Sequence, residues 1–279
     1  MPDFPQLPII TTPGRPFPEL PVVTPAPPRL TLQEKYGGLY YLGIAGLVFS
    51  IGLVGKFAYD IWVTRDFWTA IATLHDEKRS EPERIRAAWA VARHPTANDR
   101  QRFDIAVRKD LPRLARYVIA EGLTSEAIRA DPKGYALMVA RSEGWPDWLR
   151  LLMARPMAYG VGEGYRIAGE PLDLLREHKD PAIALWATYT RAAMMPPGDS
   201  PAARALEAAT AGPGPFQPLA ALLDAAAKAD GQIRLKKLDE ATAWVRTHHP
   251  EALEVWSGWA EKDGQLIGPA TGSPSAGPG

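Results

Sequence analysis

The chain contains no cysteine. That excludes disulfides, thiolate catalysis, iron–sulfur clusters and cysteine-ligated zinc. It also lacks net charge: 32 Lys and Arg stand against 32 Asp and Glu. Nothing in that balance points to nucleic acid as a partner. Its five histidines, His75, His94, His178, His248 and His249, form no H-E-x-x-H motif, and no two share helical metal-binding spacing. His94 and His249 each precede a proline, where a structural or solvent role is expected. There is no G-x-S-x-G and no defensible Ser-His-Asp arrangement. Acid pairs such as Glu81/Glu83 and Asp239/Glu240 read as surface charge. The glycines at Gly160, Gly162 and Gly164 have no strand before them and no Lys-Ser or Lys-Thr after them, so a phosphate-cradling loop is disfavoured. These absences predict no catalytic residue, no cofactor, no metal site and no small-molecule substrate.

Charge is also missing locally. From Tyr36 to Gly55 the chain has no ionisable acid or base apart from its tyrosines. A 20-residue helix spans about 30 Å, the thickness of the hydrocarbon core of a bilayer. Tyr36, Tyr40 and Tyr41 flank one end, and Phe57, Tyr59 and Trp62 the other, as in an aromatic belt. Lys56 can snorkel outward. About 35 residues precede the run and no A-x-A site follows it, so an uncleaved signal-anchor is expected rather than a cleaved signal peptide. Positive charge hardly differs between the two ends (Arg29 and Lys35 before, Lys56 and Arg65 after), which leaves the orientation open. Gly43, Gly46 and Ser50 fall at i, i+3 and i+7 and make a small-residue stripe. Such a stripe lets another membrane helix approach, although glycine is common in membrane helices generally.

The residues before the span are rich in proline. Phe4-Pro5-Gln6-Leu7-Pro8-Ile9-Ile10-Thr11 recurs as Phe17-Pro18-Glu19-Leu20-Pro21-Val22-Val23-Thr24. A polyproline II arm of this kind loses little entropy on docking, and Phe4, Leu7, Phe17 and Leu20 supply apolar anchors beside Pro5, Pro8, Pro18 and Pro21. Two copies can raise avidity. The same segment also reads as a semi-rigid spacer. The last residues, rich in Gly, Pro, Ser and Ala, read as a disordered tail.

After Trp62 the periodicity is helical. Ile85, Ala88, Trp89 and Ala92 share one face, as do Ala252, Val255, Trp256 and Trp259. Phe103, Val107, Leu111, Leu114 and Val118 continue an apolar stripe that Pro112 splits. Asp131-Pro132, Asp180-Pro181 and Ser200-Pro201 read as helix starts, and Gly122, Gly144, Gly231 and Gly264 as helix stops. About ten short helices are expected between Arg65 and Lys262, with no strand. Residues 78–116 hold eleven basic against five acidic side chains. That excess suits solvated helix faces or an anionic lipid surface. Most tryptophans belong in a core, while Trp145 or Trp148 is placed to line a binding groove.

Pro82 leads to Trp89, Pro181 to Trp186 and Pro250 to Trp256. With these helix starts, residues 65–262 resemble the degenerate helix-pair repeats of HEAT-like or tetratricopeptide-like proteins, although neither consensus is present. The resemblance implies a stacked, curved surface for protein or peptide partners. A compact irregular bundle is the alternative. The expected organisation is a mainly α protein: a proline-rich arm over 1–35, a transmembrane helix over 36–59, helical halves over 60–158 and 171–264 joined by a glycine-rich connection over 159–170, and a tail over 265–279. The expected role is a single-pass membrane-anchored adaptor or scaffold, or else an accessory subunit of a membrane complex. An enzyme with an unrecognised helical site is a third, weaker reading. The expected partners are proteins and the lipid bilayer.

Overall fold

The computed structural model describes residues 31, 34–35, 37–167, 169–195 and 200–268, apart from the side chains of Tyr40 and Val63. The duplicated proline motif lies outside them. Among the described residues the chain is mainly helical, with thirteen helices and one two-stranded hairpin. It divides into two compact units, residues 1–58 and 59–279.

Helix α1 (Gly38–His75) contains 38 residues, so it is about 57 Å long. Apolar residues surround its first half, and no side chain described from residue 41 to 62 is covered by protein. Leu47, Phe49, Ile51 and Phe57 are all more than half exposed. The helix does not stop where the uncharged run ends. Asp60, Arg65 and Asp66 are followed by Phe67 and Leu74, which are fully buried in the core of the second unit.

The second unit contains α2 (Glu81–Arg93), α3 (Asp99–Ala106), α4 (Arg113–Glu121), α5 (Glu126–Arg129), α6 (Pro132–Ala140), α7 (Asp147–Gly162) and α8 (Gly169–Arg176). They are followed by α9 (Pro181–Ala193), α10 (Pro201–Ala211), α11 (Gln217–Ala227), α12 (Gly231–His248) and α13 (Pro250–Trp256). Strands β1 (Ala260–Lys262) and β2 (Gln265–Ile267) close the described chain. The helix starts follow from local chemistry. Asp131 Oδ1 accepts from the Gly134 N–H at 2.8 Å, Asp180 Oδ1 from that of Ala182 at 2.8 Å, and Ser200 Oγ from that of Ala203 at 3.0 Å. Each satisfies an amide that the first turn leaves unpaired, and proline follows where no donor is needed. Asn98 and Gln101 exchange side-chain and backbone bonds at the start of α3, forming a capping box.

Helices α4 and α7 are the centre of the packing. Helix α7 contacts α4, α5, α6, α9, α12 and α13, and α4 also contacts α2, α3 and α13. The last helices therefore return to the first ones. The hairpin follows the same path: Trp89 Nε1 of α2 donates to the Gly264 carbonyl at 3.1 Å, and Glu261 of β1 accepts from Arg93 and Arg246. Trp89, Trp186 and Trp256 are all buried. Trp89 meets Trp256 edge-on at 6.3 Å, and Trp256 meets Tyr117 at 6.0 Å.

Several sequence expectations need correction. Tyr159, Gly160 and Gly162 are not in a connection but in the last turns of α7, which ends at Glu163 and the positive-φ Gly164. Gly160 leaves room for Ile128, whose Cδ1 would collide with a Cβ at that position. Gly231 opens α12 instead of ending a helix. Gly264 and Asp263 are the two central residues of the hairpin turn, both at positive φ. Residues 265–267, assigned to the tail, are thus strand. Asp-Gly is the preferred pair for such a turn, and Leu266 is buried between exposed neighbours. Trp259 lies beyond the end of α13, half-buried.

Candidate functional site

The small-residue stripe on α1 is open. Gly43, Gly46 and Ser50 are all exposed, and a Cβ added at either glycine would meet nothing within 4 Å. The Ser50 hydroxyl donates to the Gly46 carbonyl at 2.8 Å, so its polarity is satisfied within the helix. Phe4, Pro5, Leu7, Pro8, Phe17, Pro18, Leu20 and Pro21 lie outside the described residues.

The second unit has a cleft of about 480 Å³ between α4, the entry to α7, and α13. Each wall has a local cause. Gly144, at a φ of 74°, turns the chain into Trp145 and Pro146, from which α7 begins. Glu251 of α13 reaches across, and its Oε2 accepts from the Trp148 N–H at 2.9 Å. A carboxylate there satisfies a first-turn amide and complements the positive end of α7. Arg113 of α4 and Glu254 of α13 meet at 2.6 Å, both about two-thirds exposed, so this pair closes the rim with little net stability.

Arg116 differs from these rim residues. It is 8% exposed, and its one side-chain hydrogen bond among the described residues runs from Nε to the Ala106 carbonyl at 2.9 Å. Its guanidinium carbon lies 5.6 Å from the Trp148 ring centroid. Among the described residues no carboxylate is within ion-pair distance. Burial lowers its pKa, with the charge of Asp110 opposing. The cleft thus combines a largely buried cation, an indole wall from half-buried Trp145 and an apolar patch at Pro146 and Val255. Trp148, expected as a possible groove residue, is 3% exposed and forms the back of the site. The sequence reading missed Arg116. Its signal was present: it is the one charged residue in the run Leu114–Ala120, all seven of which are buried.

Two other polar clusters read as architecture. Arg246 makes two bonds to Glu121, at 3.0 and 2.7 Å, and a third to Glu261 at 2.7 Å. His249, 2% exposed, places Nε2 2.7 Å from Asp180 Oδ2. His178 lies against Arg150, and burial lowers its pKa, with the Arg150 charge acting in the same direction. His248 stacks on Trp244 at 4.8 Å, and His94 lies 5.3 Å from Phe67. Among the described residues no three His, Asp or Glu side chains are grouped to hold a metal ion. Compared with known proteins, the chain matches no family model, no curated protein and no solved structure.

Proposed function

We propose that this chain is a single-pass membrane-anchored adaptor or scaffold. The observation that carries the reading is α1: long and apolar enough to cross a bilayer, with the side chains described from residue 41 to 62 uncovered on every face. In water, a contiguous apolar surface of that extent marks a protein or membrane contact. In a bilayer it is solvated by hydrocarbon, while the helix satisfies its own backbone groups. The duplicated motif at Phe4–Thr11 and Phe17–Thr24 would hold one protein partner through two equivalent sites, and the helical unit would hold another. The return of α13 and the hairpin onto α2, α4 and α7 favours a compact irregular bundle over an open stack, in which only neighbouring repeats touch.

A second reading rests on the open face at Gly43, Gly46 and Ser50. A neighbouring span packed there would make the chain an accessory subunit of a membrane complex. One experiment separates the two. The tagged full chain is purified from its native membrane in mild detergent, beside a variant with Phe4, Leu7, Phe17 and Leu20 changed to alanine. Loss of a stoichiometric partner in the variant supports the adaptor. Retention of that partner moves the contact to the span or the helical unit, and no specific partner at all contradicts both readings.

A further inference from the structure

We propose that the cleft at Arg116 is a binding site for the carboxylate of an organic acid or a peptide, with the Arg116 guanidinium as its anion receptor and Trp145 as its side wall. The inference goes beyond the adaptor reading and does not depend on it.

The first ground is the incomplete pairing of Arg116. A largely buried cation gains from a partner that replaces lost water, and the terminal nitrogens of Arg116 are not sealed off from the cleft. Arginine presents five donors in a fixed fork suited to a carboxylate. Here Nε is committed to the Ala106 carbonyl, while the two terminal nitrogens have no hydrogen-bond partner among the described residues. Every other cation lining the cleft already has an anion, since Arg113 is taken by Glu254. The two cleft carboxylates are taken as well, Glu254 by Arg113 and Glu251 by the Trp148 amide. Arg116 is therefore the one cation of the cleft without an anion among the described residues.

Charge then selects among anions. Arg113 and Arg116 balance Glu251 and Glu254 around the same cleft. A singly charged carboxylate adds one negative charge opposite Arg116. A phosphate dianion would add two beside two existing carboxylates, and the like charges disfavour it. Shape selects an apolar substituent. Trp145, Pro146 and Val255 offer indole and aliphatic surface beside the charged groups, against which an apolar substituent of the acid can pack. The cleft of about 480 Å³ falls within the size range of small-ligand sites.

The test uses the full chain in detergent micelles and isothermal titration. The probes are 3-phenylpropionate, its neutral amide 3-phenylpropionamide, the dipeptide N-acetyl-Ala-Phe with a free or an amidated terminus, and inorganic phosphate. Both carboxylates are expected to bind saturably, with each amide at least tenfold weaker. Arg116→Met should lose at least tenfold in carboxylate affinity and leave the weak amide signal unchanged. Arg116→Lys should recover part of the loss. Tighter binding of the dipeptide than of phenylpropionate assigns the site to a polypeptide terminus, while equal binding assigns it to a small acid. If Arg116→Met does not fold, Trp145→Ala decides in its place, with an expected severalfold loss for the aromatic carboxylates. Equal binding of acid and amide, unchanged affinity in Arg116→Met, or saturable binding of phosphate alone would overturn the proposal.

Discussion

Asp180 and His249 join three helices through one carboxylate. Asp180 Oδ1 accepts from the amides of Ala182 and Ile183 at the start of α9, and Oδ2 lies 2.7 Å from His249 Nε2 at the junction of α12 and α13. Removing this carboxylate takes away a helix cap and leaves a buried imidazole without its partner. Asp180→Ala should cost about 3 kcal/mol. Thermal unfolding of the full chain in detergent measures it, and a change under about 0.5 kcal/mol, the range of ordinary surface substitutions, would refute the linkage.

The same pair has a pH signature. Burial raises the Asp180 pKa, but the hydrogen bond and field of His249, together with the two α9 amides, more than offset it, and the carboxyl is held below its ordinary value. A depressed carboxylate pKa stabilises the fold above the unfolded value of about 3.9 and loses that contribution as pH falls through the lower folded value. Asp180→Asn should therefore show a shallower loss of stability below about pH 4 than the parent chain. Parallel acid-unfolding curves would contradict this assignment.

Gly122 marks a close crossing of α2 and α4. A Cβ there would stand 2.9 Å from the Ala92 carbonyl oxygen, a backbone atom that moves only with its helix. Gly122→Ala should destabilise by about 1–3 kcal/mol through overpacking. Gly43→Ala and Gly46→Ala meet open space and should leave the transition unchanged or slightly raised, since alanine is the better helix former. The three melting curves, run side by side, check both directions.

The helical part of the fold was legible because its signals are local. Asp131, Asp180 and Ser200 cap their helices by bonding amides two or three residues on, and Ile85, Ala88, Trp89 and Ala92 bury one face at helical spacing. Misread positions depend on partners distant in sequence. Gly160 is a helix residue packed against Ile128, 32 residues earlier, which leaves no room for a side chain. The hairpin is held by Trp89 and Arg93, more than 165 residues away, although its Asp263-Gly264 turn was visible as a dipeptide. Arg116 is the same case: its guanidinium lies by the Trp148 ring of α7, 32 residues on, and only its isolation in an apolar run could have flagged it.

The Arg246–Glu121 pair spans α12 and α4, and Glu121 is 10% exposed. Breaking a buried pair leaves the other charge uncompensated. Arg246→Ala should cost about 3 kcal/mol and, by leaving Glu261 to Arg93 alone, speed proteolysis within 260–267. A fold-neutral result with an unchanged cleavage pattern would show the network to be dispensable.

A transmembrane α1 is tested most directly by the membrane fraction of the full chain after an alkaline carbonate wash, beside a form lacking 36–59 and beside Leu47→Arg. An arginine at the centre of a span costs about 2.5–3.5 kcal/mol of insertion free energy. The account predicts that the full chain stays in the pellet, that the deletion moves to the supernatant, and that Leu47→Arg inserts less completely. Release of the full chain by carbonate would contradict a transmembrane α1 and with it the anchored adaptor.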